Sequence, residues 1–161
     1  MNQTEEFRSA MRKWAAGVGV ATCMADAEAH GMTVNSFTSV SVDPAMVTVT
    51  MAKNTRTLEK TLISGGFGIT ILASDQQWIS DRFAGKQPEK PCRFDGIKTF
   101  TMLSEIPFLE GGLAFFECKV IHQFEMPSSV LLVGQVLSVK NGQNKDSLVY
   151  MNRKYSRVSN L

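Results

Sequence analysis

The chain opens on a helical period. Phe7, Met11 and Trp14 recur at i, i+4 and i+7, with Asn2 as a possible N-cap, Glu5 three residues later and Gly17 as a stop. A stripe of this kind is expected to pack against a sheet. After Gly19 the pattern shortens to segments rich in Val, Thr and Phe separated by Asp, Gly and Pro, which predicts strands over 18–24, 32–41 and 47–51. Asp43-Pro44 sets a turn between the second and third, because proline has no amide donor and restricts the residue before it.

Asn54 or Thr55 then caps a helix over 57–64, with Leu58, Leu62 and Ile63 inward and Gly65-Gly66 as its end. Residues 67–72 alternate again, Phe67, Ile69 and Ile71 on one face and Gly68, Thr70 and Leu72 on the other. Ser74 with Gln77 resembles a capping box for a helix carrying Trp78, Ile79, Arg82 and Phe83 to Gly85. The stretch 86–98 reads as an irregular loop over a site. The remainder is β-like, over 114–124, 130–139 and a closing segment 148–158. Strands interrupted by short helices, without βαβ alternation, predict a mainly β antiparallel barrel in one domain, 1–161.

Composition narrows the chemistry. Among 161 residues, 17 basic and 15 acidic side chains leave a net charge of +2, with no block of like charge, so nucleic acid is not an expected partner. No apolar run approaches the length of a membrane span and the start is polar, so a cytoplasmic protein is expected. Cys23, Cys92 and Cys118 are widely spaced and odd in number, which predicts reduced structural thiols rather than disulfides or a metal site. His30 and His122 are the only imidazoles. His122 alternates with Phe116, Cys118, Val120 and Phe124 and is expected in the core; His30 is expected in an exposed turn. The nine methionines read as gap-filling core residues. With metals and triads disfavoured, chemistry is expected to come from a cofactor.

In 30–44, HGMTVNSFTSVSVDP, Thr33, Asn35 and Ser36 interrupt strand alternation together, and Ser39 and Ser41 follow. A polar ligand along the strand explains that crowding; a solvent-facing Thr/Ser-rich strand produces it too. Lys53-Asn54-Thr55-Arg56-Thr57 stands at the next helix start, a composition suited to phosphate and equally to an ordinary solvated cap. Together they describe a ligand with a polar ring at one end and a phosphate at the other, as in flavin mononucleotide.

The run from Gly31 to Pro44 resembles the flavin-binding signature of the short-chain flavin reductases, the NAD(P)H:flavin oxidoreductase components of two-component monooxygenases, and is similar to their styrene monooxygenase branch. The likeness extends through Phe67-Gly68-Ile69, Phe83-Ala84-Gly85, Phe116-Glu117-Cys118, Val133-Gly134-Gln135-Val136, Leu148-Val149-Tyr150 and Arg153-Lys154-Tyr155. It implies a Greek-key split β-barrel that binds FMN or FAD, takes electrons from NADH or NADPH, forms a homodimer and passes reduced flavin to a partner flavin-dependent monooxygenase. By position, Thr33, Val34, Asn35 and Ser36 would line the isoalloxazine and ribityl chain, continued by Ser39, Val40 and Ser41. Lys53, Asn54 and Thr57 would lie near the phosphate, and Phe83 and Ala84 on the far wall. No residue is expected as an obligate acid or base. Ser129 stands where the family commonly has a histidine near the nicotinamide, and Tyr155-Ser156 replaces a Tyr-His. That departure leaves a rival open, a non-catalytic flavin- or haem-binding split barrel acting as sensor or carrier.

Overall fold

The computed structural model describes residues 2–88 and 91–160. Positions 89 and 90 of the expected irregular loop, and residues 1 and 161, lie outside the described residues. The chain runs α1 (Gln3–Met11), β1 (Ala16–Gly17), β2 (Gly19–Ala25), β3 (Glu28–Val34), β4 (Thr38–Val42), β5 (Ala45–Ala52), α2 (Arg56–Ser64) and β6 (Gly66–Ile71). A 3₁₀ turn, Ser74–Gln76, leads into α3 (Gln77–Phe83), followed by β7 (Thr99–Phe100), β8 (Phe108–Leu109), β9 (Ala114–Glu125), β10 (Ser129–Asn141), β11 (Leu148–Met151) and β12 (Lys154–Arg157).

Seven strands form one antiparallel sheet in the order β3-β2-β6-β9-β10-β5-β4. Val34 on β3 nevertheless shares a core with Val47, Val49 and Met51 on β5, near the opposite edge, and with Phe67, Ile69 and Leu132 between them. The sheet is therefore curled into a split barrel, mainly β with a few short helices, as expected. A second core, with Val18, Leu72, Ile79, Phe83 and Leu148, seats α3 against the barrel wall. Both faces of β6 are covered, Gly68 and Thr70 being as buried as Phe67 and Ile69.

Several local expectations are corrected. α1 ends at Met11 and has no buried residue; Phe7, Met11 and Trp14 are 65%, 49% and 69% exposed, so the described residues leave its stripe largely uncovered. The expected strand 32–41 is two strands, broken at Asn35-Ser36-Phe37. On α2 the inward positions are Thr57, Leu58 and Thr61, while Leu62 and Ile63 face out. The Ser74–Gln77 box is replaced by Gln76, whose Oε1 accepts the Ala73 N–H at 3.0 Å. The closing segment is a hairpin turned at Asn152-Arg153, both with positive φ, which the right-handed strand twist favours.

The two histidines exchange environments. On β9, Val120 lies opposite Gly134 but His122 opposite Val133, so Ile121 is an extra residue in a β-bulge. The alternation changes phase there, and His122 leaves the core face for solvent. His30 is 7% exposed, because the β2–β3 hairpin turns at Asp26-Ala27 and carries it well inside β3, opposite Cys23. Cys23 and Cys118 are buried and burial raises both thiols, Cys118 to about 12; Cys92 is exposed. Met51 is fully buried, whereas Met11, Met126 and Met151 are exposed, so not all methionines fill the core.

Candidate functional site

Two adjoining cavities flank the C-terminal end of β3. The larger is a groove of about 780 Å³ running along β3 from Ala27 to Thr33. One bank is the start of α2, Asn54 to Thr57; the other is Phe83 and Ala84 at the end of α3, with Pro91 to Phe94. The smaller, about 200 Å³, lies between Thr33, Val34 and Asn35 on one side and Ser80, Lys86, Tyr150 and Tyr155 on the other. Thr33 and Ala84 belong to both walls.

Local sequence builds the phosphate-compatible bank. Asn54 takes a left-handed φ of +64°, which asparagine tolerates better than most residues, and this turn frees Thr55 to cap α2. Thr55 Oγ1 accepts the Leu58 N–H at 3.4 Å and donates to the Ala52 carbonyl at 2.8 Å. The positive end of the helix thus opens on the groove beside Arg56. The opposite bank is fixed by contact: a Cβ at Gly31 would stand 2.7 Å from the Phe83 ring, so only glycine lets α3 approach β3 this closely. Thr33 Oγ1 donates to the Ser80 carbonyl at 2.6 Å, a second tie between β3 and α3.

A polar network closes the smaller cavity. Tyr155 Oη donates to Asp81 Oδ1 at 2.9 Å and stands 2.9 Å from Ser80 Oγ. Lys86 Nζ donates to the same Asp81 oxygen at 2.8 Å and lies 5.2 Å from the Tyr155 ring centroid. Burial raises the Tyr155 hydroxyl. For Asp81, burial pushes upward, but hydrogen bonds from Lys86 and Tyr155 outweigh it and hold the carboxyl below its usual range.

The sequence-derived residues divide accordingly. Thr33, Asn54, Thr57, Phe83 and Ala84 line the groove; Val34, Asn35 and Tyr155 line the smaller cavity. Ser36, Ser39, Val40, Ser41, Lys53 and Ser129 line neither. Ser36 Oγ donates to the Thr50 carbonyl at 2.8 Å and accepts the Thr50 N–H at 3.0 Å. Lys53 pairs with Glu125 at 3.1 Å, and Ser129 pairs with Ala52 at the start of β10. Arg93 was not anticipated as a site residue; Arg56, within the segment expected to suit phosphate, and His30, expected in an exposed turn beside the signature strand, line the groove with it. Arg93 Nη1 donates to the Gly31 carbonyl at 2.9 Å and the Phe83 carbonyl at 3.0 Å, clamping the loop to β3 and to the end of α3. Nothing local marks an arginine for that work in a loop of mixed charge; Arg56 stood within the recognised helix start.

This donor set suits a flavin. A cleft with an apolar flank at Phe83, Ala84 and Phe94, a few convergent polar groups and a helix N-terminus accommodates a flat ring and a phosphate, and among the described residues Glu28 is the one carboxylate on the groove wall.

Comparison with known proteins agrees. Residues 11–159 match the family described as flavin reductase like domain. A curated NADH-dependent flavin reductase from a Rhodococcus species is 36% identical over 133 residues, 81% of this chain and 73% of that one. The reductase component of 4-hydroxyphenylacetate 3-monooxygenase from Thermus thermophilus is 27% identical over 154 residues, 96% of each chain. Among solved structures, the styrene monooxygenase flavin reductase from Pseudomonas putida S12 superposes with a TM-score of 0.84 at 28% identity, covering 96% of this chain and 98% of that one.

Proposed function

The chain belongs to the flavin reductase family and is an NAD(P)H-dependent flavin oxidoreductase, and from that premise we propose how its own residues serve the reaction. The observation that carries the proposal is the shared wall: Thr33 and Ala84 border both cavities, so one flavin would reach from the smaller cavity to the start of α2, with a second ring laid against it at β3. Thr33, Val34 and Asn35 hold the ring system, the amides of α2 with Asn54, Arg56 and Thr57 hold the phosphate, and Phe83 and Ala84 form the far wall. When bound, flavin supplies the ring that accepts hydride from a reduced nicotinamide. The protein's part is placement and exclusion of water. Neither Asp81 nor Tyr155 has to move a proton; their network fixes the wall against which the second ring lies.

The reading extends to NADH as donor, to reduced flavin delivered to a partner flavin-dependent monooxygenase, and to a single-domain, cytoplasmic homodimer. Relatives named as monooxygenase reductase components support the partner. The bare apolar face of α1 supports the dimer, since a second copy would cover it. Cys23, Cys92 and Cys118, free and without a pairing framework, suit a reducing compartment.

The experiment supplies NADH or NADPH to the purified chain with excess FMN or FAD and follows nicotinamide oxidation without oxygen. Faster oxidation of NADH is expected. A chain that oxidises neither donor with either flavin overturns the reading.

A further inference from the structure

The three cysteines are not equivalent. Cys23 and Cys118 are buried, and burial holds both thiols in the protonated, unreactive form. Cys92 is exposed and lines the groove, on the bank that runs from Pro91 to Phe94. Its backbone is held on the C-terminal side by three bonded residues. Arg93 Nη1 donates to the Gly31 and Phe83 carbonyls, the Cys92 carbonyl accepts the Asp95 N–H at 3.3 Å, and the Asp95 carbonyl accepts from Arg82 Nη1 at 2.6 Å. The thiol is thus fixed at the bank of the groove.

The wall it shares is short of partners. His30 lines the same groove, is 7% exposed, and its Nε2 is buried with no hydrogen-bond partner among the described residues; Glu28 Oε2 stands 3.6 Å from it, beyond hydrogen-bond range. A buried imidazole nitrogen left without a partner points to a hydrogen-bonding group from outside the chain. Arg93 has no ion pair among the described residues. The reaction also brings an oxidant to this place. Reduced flavin that no monooxygenase collects passes two electrons and two protons to O2, which returns it to oxidised flavin and leaves H2O2.

We propose that Cys92 is a redox-modification site, at which a small peptide thiol of the glutathione class is attached as a mixed disulfide and closes the groove to flavin when peroxide accumulates. The inference rests on the flavin reductase reading and goes beyond it. The Cys92 thiolate attacks one oxygen of H2O2, the O–O bond breaks, the sulfur is oxidised to a sulfenic acid, and hydroxide leaves. The thiolate of the small thiol then attacks that sulfur; the S–S bond forms, the S–O bond breaks, and the second hydroxide leaves as water with the proton the thiol gave up. Attached there, the amides and carboxylates of such a thiol meet the unpartnered His30 Nε2 and the Arg93 guanidinium. A flavin reaching the start of α2 would occupy the same groove, so flavin and adduct exclude each other.

The test treats the full chain with H2O2 and glutathione and follows it by intact mass and by peptide mass mapping. Uptake of a single glutathione is expected, on Cys92, with Cys23 and Cys118 unmodified. Saturating FMN should slow the uptake about tenfold, and the modified chain should bind FMN about tenfold more weakly until dithiothreitol removes the adduct. NADH, FMN and air should replace added H2O2 as the source of oxidant, and catalase should then abolish the uptake. Cys92→Ser should take up no glutathione and show the same FMN affinity before and after peroxide. His30→Phe, which removes the imidazole facing the adduct, should speed its release by dithiothreitol several-fold. The proposal is overturned if Cys92 stays unmodified under peroxide and glutathione, or if its modification neither responds to FMN nor changes FMN affinity. Failure of both FMN and FAD to bind the untreated chain overturns the flavin reading itself, whatever happens at Cys92.

Discussion

Within one 15-residue stretch, His30 to Pro44, the first half and the second half use the same residue types for different ends. Gly31, Thr33 and Asn35 line cavities, whereas Ser36, Ser39 and Ser41 do not. The reason is visible at Ser36. The β4–β5 register sets Thr38 opposite Thr48, and two residues back it would set Ser36 opposite Thr50. There the backbone has already left the ladder, and the Ser36 hydroxyl makes both bonds to Thr50 that a backbone partner would have made. Beyond it, Ser39 is exposed on an edge strand and Val42 is 89% exposed. A polar residue in a strand is available to a ligand only when the sheet has not already taken its hydrogen bonds.

The comparison breaks most readily at Gly31. In Gly31→Val the new side chain meets the Phe83 ring, overpacking that costs about 1–3 kcal/mol and pushes Phe83 toward the groove. Thermal unfolding should fall by about 2–4 °C for each kcal/mol, with weakened flavin binding. Unchanged stability would mean that α3 yields freely and that the front half has no fixed floor. At Asn35, next to the tied region but on the cavity wall, Asn35→Ala should leave the melting temperature nearly unmoved and weaken flavin about five- to tenfold, the loss of one hydrogen bond to a bound ring. Equal affinity by titration would move the ring elsewhere.

Ser36→Ala should do the reverse. Removing the hydroxyl leaves both Thr50 backbone groups short of a partner, costing about 1–2 kcal/mol in urea unfolding, with a smaller change in flavin affinity. Ser39→Ala, on the exposed edge, should stay within about 0.5 kcal/mol and serves as the blank. If Ser39→Ala weakens flavin as much as Asn35→Ala does, the division between the halves is false, and the whole stretch contacts ligand in the functional assembly.

Alternation and turn chemistry made the barrel legible: β2, β5, β6, β9 and β10 fall close to the expected segments because each has a face that must be buried. What failed depended on events a period does not record. One inserted residue at Ile121 reverses the phase of β9 and takes His122 out of the core. The hairpin at Asp26-Ala27 lacks glycine, so the turn was not recognised and His30 was read as part of it. The α1 stripe was read correctly as apolar, but a period does not say whether its partner lies in the same chain. The front half of the site was legible through its crowding of polar residues; Arg93 was not, since its clamp joins positions 62 residues apart.

The smallest expected effect concerns what stands behind the front half. Thr33 is tied to the Ser80 carbonyl, and the next residue, Asp81, receives hydrogen bonds from both Tyr155 and Lys86, joining α3 to β12. Because those bonds outweigh burial and depress the Asp81 carboxyl in the folded chain, the folded state releases its proton more readily than the unfolded one. The stabilisation is therefore complete above the unfolded value of about 3.9 and is lost as pH falls through the depressed folded value. Asp81→Asn keeps the shape but not the charge. Its urea midpoint should lie below wild type at neutral pH, and the two should converge in acid as pH falls through the depressed carboxyl range, with the difference reduced by salt because the site is partly exposed. If the front half depends on this support, flavin affinity in Asp81→Asn should fall only slightly, by less than in Asn35→Ala. A gap in midpoint that is the same at both pH values would show that Asp81 acts through packing alone, and that the charge network at β12 does not help to hold the cavity wall.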